Sequence, residues 1–132
     1  MVKSAYPEIV KLVIWDLDDT FWTGTLSEEG IRVIQYNLDL VKELSRRGIV
    51  NSICSKNNYD QAKKKLVELG IWDFFVFPEI SWSAKGALVD TIISNMNLRA
   101  CNCVFIDDNR MNLDEVVYTV NQIFAYHPDE IL

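Results

Sequence analysis

The stretch Leu12-Val13-Ile14-Trp15-Asp16-Leu17-Asp18-Asp19-Thr20 decides how this chain reads. Four strand-forming apolar residues stop abruptly at a carboxylate, as a strand buried on both faces does when it reaches the polar edge of its sheet. The same event recurs downstream. Gly48 to Cys54 is a second apolar run, ending at Ser55, and Phe74 to Phe77 a third, halted by Pro78. Cys103 to Ile106 is a fourth, halted by Asp107-Asp108, and Gln122 to Tyr126 is the last.

Helical periodicity fills the intervals. Asn37 to Arg47 places Leu38, Val41 and Leu44 on one face and stops at Gly48. Asn58 opens a helix through Ala62, Leu66 and Leu69 that Gly70 closes. Ser83 is the expected N-cap of a helix reaching about Met96, and Leu113 to Thr119 is a shorter one. This alternation predicts an α/β fold: a Rossmann-like three-layer sandwich around a parallel sheet of about five strands. Only Phe21 to Tyr36 breaks it, with Gly24, Gly30 and β-favouring residues that predict a β-hairpin flap. No stretch is long enough for a large cap. A single domain over residues 1–132 is expected, with the flap at about 21–36.

Composition narrows the function classes. With 49% hydrophobic and 24% charged residues, the chain is an ordinary globular sequence. Its formal net charge of −6 argues against binding a nucleic-acid backbone. The apolar run Ile9 to Trp15, interrupted by Lys11, falls far short of the roughly 20 residues that cross a bilayer. Three cysteines (Cys54, Cys101, Cys103) make no disulfide framework or zinc set, so a reducing, cytoplasmic setting is expected. Lys63-Lys64-Lys65 reads as a solvated helix face and His127 as a surface residue.

The chemistry gathers where a parallel sheet binds its ligands, beyond the carboxyl ends of the strands. Asp16 and Asp18, Ser55, and Asp107 with Asp108 all follow strands, and Lys85 opens the helix after the third. Carboxylates brought together repel by several kcal/mol unless a cation joins them. Hard oxygen donors favour magnesium, which keeps waters that a phosphate can replace. A carboxylate beside that metal can attack phosphorus, and a second can move the leaving-group proton. A lysine and a hydroxyl can hold the phosphoryl oxygens.

Asp16-Leu17-Asp18-Asp19-Thr20 resembles D-x-D-x-T, the first motif of the haloacid dehalogenase (HAD) superfamily of phosphotransferases. Ser55, Lys85 and Phe105-Ile106-Asp107-Asp108-Asn109 resemble its second, third and fourth motifs, in order. Asp18 to Gly24, Cys54-Ser55-Lys56-Asn57 and Ser81-Trp82-Ser83-Ala84-Lys85 are similar to the FkbH-like branch, subfamily IIIC, which also holds magnesium-dependent phosphatases. The resemblance implies Asp16 as nucleophile and metal ligand, and Asp18 as general acid/base with its backbone carbonyl on Mg2+. It implies Asp107 as a metal ligand, with Asp108 either a second ligand or an outer-shell partner. Lys85 would neutralise developing charge; Ser55, with Lys56 and Asn57, would bind the phosphoryl group. Thr20 would support the turn and join the phosphate-binding set. The expected partner is a phosphorylated small molecule, without nucleic acid or membrane. Two alternatives are an FkbH-like phosphoacyl-handling domain that works with an acyl carrier protein, and a receiver-like phosphoacceptor module.

Overall fold

The computed structural model describes residues 6–28 and 30–131. Among these, five parallel strands form the central sheet: β1 (Leu12–Trp15), β4 (Val50–Ser55), β5 (Glu79–Ile80), β6 (Cys103–Ile106) and β7 (Phe124–Tyr126). Their spatial order is β5-β4-β1-β6-β7, with β1 paired to both β4 and β6. The first strand of the sequence is therefore the middle strand of the sheet. Its residues alternate between two cores. Val13 and Trp15 face a layer with Leu38 and Val41 of α1 (Gln35–Arg46) and Ala62 and Leu66 of α2 (Tyr59–Glu68). Leu12 and Ile14 face Val89 and Ile92 of α3 (Lys85–Met96) and Leu113 and Val116 of α4 (Arg110–Thr119). An uninterrupted apolar run is what burial on both faces demands, and the three layers follow from it.

The interval that broke the alternation is an antiparallel hairpin of β2 (Trp22–Thr25) and β3 (Gly30–Val33). Glu29, which falls between the two strands in sequence, lies outside the described residues. No helix among the described residues is long and apolar enough to cross a membrane.

Local physics moves several expected boundaries. The third strand is not Phe74 to Phe77: Trp72–Phe74 is a 3-10 turn, and only Phe75 bridges to Asn51. Phe77 has φ 50, a left-handed conformation that cannot continue an extended run. The strand instead follows Pro78, whose missing N–H is harmless ahead of a short edge strand. Gln122, at φ 73, likewise delays the last strand to Phe124. Asn109 caps α4 through Met111 N–H at 2.9 Å and Asn112 N–H at 3.2 Å, so that helix starts at Arg110, earlier than Leu113.

Ser83 is not the cap of α3. Ala84 occupies that position without a side-chain bond, and the Gly86 N–H is taken by Glu115 Oε2 of α4 at 2.6 Å. The two helices approach closely at Gly86, where a Cβ would lie 2.4 Å from Thr119 Oγ1 and 2.8 Å from Thr119 Cβ. Gly86→Ala should therefore push α4 away from α3 and cost about 1–3 kcal/mol, as overpacking does. Urea denaturation measures the loss, and Thr119→Ala in the same chain should recover part of it by removing the nearest atom. An unchanged denaturation midpoint in Gly86→Ala would show that the helices are not held at this distance.

Candidate active site

The site forms because β1 and β6 are neighbours and both stop at carboxylates. Asp16 leaves β1 with its N–H on Ile106 O at 2.9 Å, and Asp107 leaves β6 with its N–H on Tyr126 O at 3.2 Å. Lys85, the first residue of α3, reaches between them. Its Nζ donates to Asp16 Oδ1 at 2.7 Å and to Asp107 Oδ2 at 2.6 Å. All three side chains are buried, at 2% exposure for Lys85, 6% for Asp16 and none for Asp107. The Lys85 ammonium also lies 5.8 Å from the centre of the Phe105 ring.

One ammonium shared by two carboxylates leaves an excess of negative charge. Burial pushes the Asp16 carboxyl up to about 7; Lys85 opposes the shift and Asp107 reinforces it. For Lys85, burial works against the charge, but Asp16 and Asp107 outweigh it and hold the ammonium above its usual range. Asp108 adds a third carboxylate. Oxygens of Asp16, Asp107 and Asp108 lie within 4.8 Å of one another, a group of hard donors suited to a divalent cation such as magnesium.

The turn after β1 is locked from several sides. Thr20 Oγ1 lies 3.1 Å from Asp16 Oδ2 and 2.9 Å from Asp108 Oδ1, and it accepts the Asp108 N–H at 2.9 Å. Asn37, at the start of α1, donates to Phe21 O at 3.0 Å. Asp19 takes φ 57, and its exposed carboxylate accepts the Gly24 N–H at 2.8 Å, outside the cavity. Asp18 is held apart from the three clustered carboxylates. Its Oδ1 accepts from Trp22 Nε1 at 2.9 Å and Leu26 N–H at 3.1 Å, its Oδ2 from Asn57 Nδ2 at 3.0 Å.

These groups border an open cavity of about 170 Å3. Asp16, Asp18, Lys85, Asp107 and Asp108 line it, joined by Ser55 and Lys56 from the end of β4. Thr20 and Asn57, expected to bind phosphate, touch carboxylates and are absent from the lining. Asn109 and Asn112 line it without having been singled out: Asn109 sits in the fourth motif, whereas Asn112 carries no sequence signal. A larger cleft of about 610 Å3, beside Lys11, Arg99 and Cys101 at the opposite sheet edge, has Glu8 as its single acidic residue among those described. Size therefore does not mark the chemistry here. Cys54 lies beside the site with its Sγ 3.9 Å from Lys85 O, but burial pushes its thiol up to about 12, which leaves it inert.

No protein-family model matches the sequence, and no curated protein matches it. Solved structures do. The N-terminal part of BF1531 from Bacteroides fragilis, which contains a phosphatase domain and is complexed with Mg, superposes with a TM-score of 0.85 at 27% identity. That match covers 90% of this chain and 36% of the other, so the chain spans about a third of that relative. The cobalt-bound deoxy-D-mannose-octulosonate 8-phosphate phosphatase YrbI from Haemophilus influenzae gives 0.68 at 19% identity, covering 88% and 68% of the two chains. A HAD family enzyme from Bacteroides thetaiotaomicron, in complex with magnesium and inorganic phosphate, gives 0.68 at 14%, covering 89% and 93%. The last two matches establish the fold alone. The structural neighbours of this chain thus include two phosphatases and an enzyme of the HAD family, and its sheet and helices are the Rossmann-like arrangement they share.

Proposed function

We propose that the chain is a magnesium-dependent phosphohydrolase that cleaves a phosphate monoester through an aspartyl-phosphate on Asp16. The observation that carries this reading is the convergence of Asp16, Asp107 and Asp108 around buried Lys85 at the sheet edge. The Mg-complexed phosphatase domain among the neighbours supports it. Magnesium, held by Asp16, Asp107, Asp108 and the Asp18 carbonyl, would supply the positive charge that this cluster lacks and that a phosphoryl group needs.

The chain's own residues account for the rest. An Asp16 oxygen attacks phosphorus while the ester P–O bond breaks, and Asp18 gives its proton to the departing oxygen, releasing the alcohol. Asp18 then takes a proton from the water that attacks the aspartyl-phosphate, which frees Asp16 and inorganic phosphate. Lys85 remains between Asp16 and Asp107, fixing the nucleophile and balancing charge as it develops. Ser55 and Lys56 contribute a hydroxyl and an ammonium to the cavity wall, where the phosphoryl oxygens would rest.

A panel of phosphate esters assayed with and without Mg2+ tests the reading. Phosphate release that requires the metal and ends on chelation is the expected result. No turnover on any ester, together with binding to an acyl carrier protein, would favour the FkbH-like alternative. An acyl-phosphate that accumulates without hydrolysis would favour the receiver-like one.

A further inference from the structure

We infer that Trp22 and Asn57 are positioning residues that fix the plane and direction of the Asp18 carboxylate, an inference that rests on the phosphohydrolase reading. Two positions of the flap, close to Asp18 in sequence, and one loop 39 residues away meet on this one side chain. Strand β2 supplies the Trp22 indole N–H, the flap turn supplies the Leu26 N–H, and the loop after β4 supplies the Asn57 amide. Both carboxylate oxygens are engaged, so rotation about the last side-chain bond is blocked.

The donors are themselves held. Asn57 Oδ1 accepts the Asn58 N–H at 3.1 Å, which orients the amide so that its NH2 group faces Asp18. Trp22 is 1% exposed and packs edge-on against Phe21, with ring centres 6.3 Å apart. Asn57 is 3% exposed. A buried indole and a buried amide directed at a carboxylate that lines the reaction cavity hold a geometry that a free aspartate would sample only part of the time. Turning Asp18 loose costs the steps in which it moves a proton and spares those in which it does not.

That distinction gives a test separating positioning from mere attachment of the flap. Esters with poor leaving groups, such as 2-phenylethyl phosphate, need a proton delivered as the P–O bond breaks. Esters with good ones, such as 2,4-dinitrophenyl phosphate, do not. Both are assayed with Mg2+ in the wild type, Asp18→Asn, Trp22→Phe and Asn57→Ala. Well-placed acid–base groups contribute about 10²–10⁴-fold. Trp22→Phe and Asn57→Ala should each lower the alkyl-to-aryl ratio of kcat/KM, which covers phosphoryl transfer to Asp16 and not the shared hydrolysis that follows, by about tenfold, and Asp18→Asn should lower it further.

An unchanged alkyl-to-aryl ratio of kcat/KM in the folded variants would overturn the inference and leave the contacts as a structural pin. Wild-type protein that hydrolyses neither ester would overturn the phosphohydrolase reading, and this inference with it. If Trp22→Phe does not fold, the ratio in Asn57→Ala decides.

Discussion

Asp16→Asn should abolish turnover, lowering kcat by about 10⁴–10⁶-fold, the range seen when a covalent nucleophile is removed. The change is nearly isosteric, so Thr20 and Lys85 keep a side-chain oxygen to meet, but an amide cannot form the acyl-phosphate. Steady-state assay with Mg2+ on any ester that the wild type cleaves measures the loss. Activity within about tenfold of wild type would remove Asp16 from the nucleophile's role. The same variant carries a second, independent readout. Burial raises the Asp16 carboxyl from 3.8 to about 7, so without metal the folded chain keeps a proton that the unfolded chain releases. The resulting stabilisation is complete below pH 3.8 and disappears as pH rises through about 7. Asp16→Asn has no such proton, and its stability should lose this fall between the two limits.

Lys85→Met should have the largest effect on stability. It retains the stem and its apolar packing but removes the ammonium that lies 2.7 Å from Asp16 and 2.6 Å from Asp107. Breaking a buried ion pair from one side costs about 3–5 kcal/mol, because the remaining charge has neither water nor partner. Here two carboxylates are left facing each other. In metal-free urea denaturation at pH 8 the loss should be of that size, and it should shrink toward pH 5, where protonation of Asp16 relieves the repulsion. Adding Mg2+ should restore part of it, since a cation among the three carboxylates answers the same deficit. A loss equal with and without Mg2+ would argue that the cluster does not take the metal. Catalysis should fall as well, by about 10²–10³-fold, as when one fixed positive group is withdrawn from a transition state.

Much of the fold was legible because buried parallel strands announce themselves. Cys103 to Ile106 matches the observed β6 residue for residue, and Leu12 to Trp15 matches β1. Both are short, apolar and cut off by aspartate. The helix start at Asn58, where the structure places the cap, and the Leu38–Val41 face were equally plain, because helix-start signals and helical periodicity act within a few residues. The errors came where apolar character was mistaken for strand. Phe74 to Phe77 has the right composition, but a 3-10 turn and the left-handed Phe77 consume it, and the strand is made by Glu79 and Ile80. At Ser83 a good capping residue stood one position early, and the cap came from another helix.

The sequence by itself determined that carboxylates would stand at the ends of strands and that Lys85 would open a helix, since both are consequences of local pattern. It did not determine which of these groups would touch. Lys85 lies 69 residues from Asp16 and 22 from Asp107, and it joins them only because the sheet order places β1 beside β6 with α3 across one face. Glu115 capping α3, and Asn57 gripping Asp18, belong to the same class. Hydrophobic patterning specifies where a chain must be buried. The side-chain hydrogen bonds that build a site depend on distances between elements, and those exist only once the layers have packed.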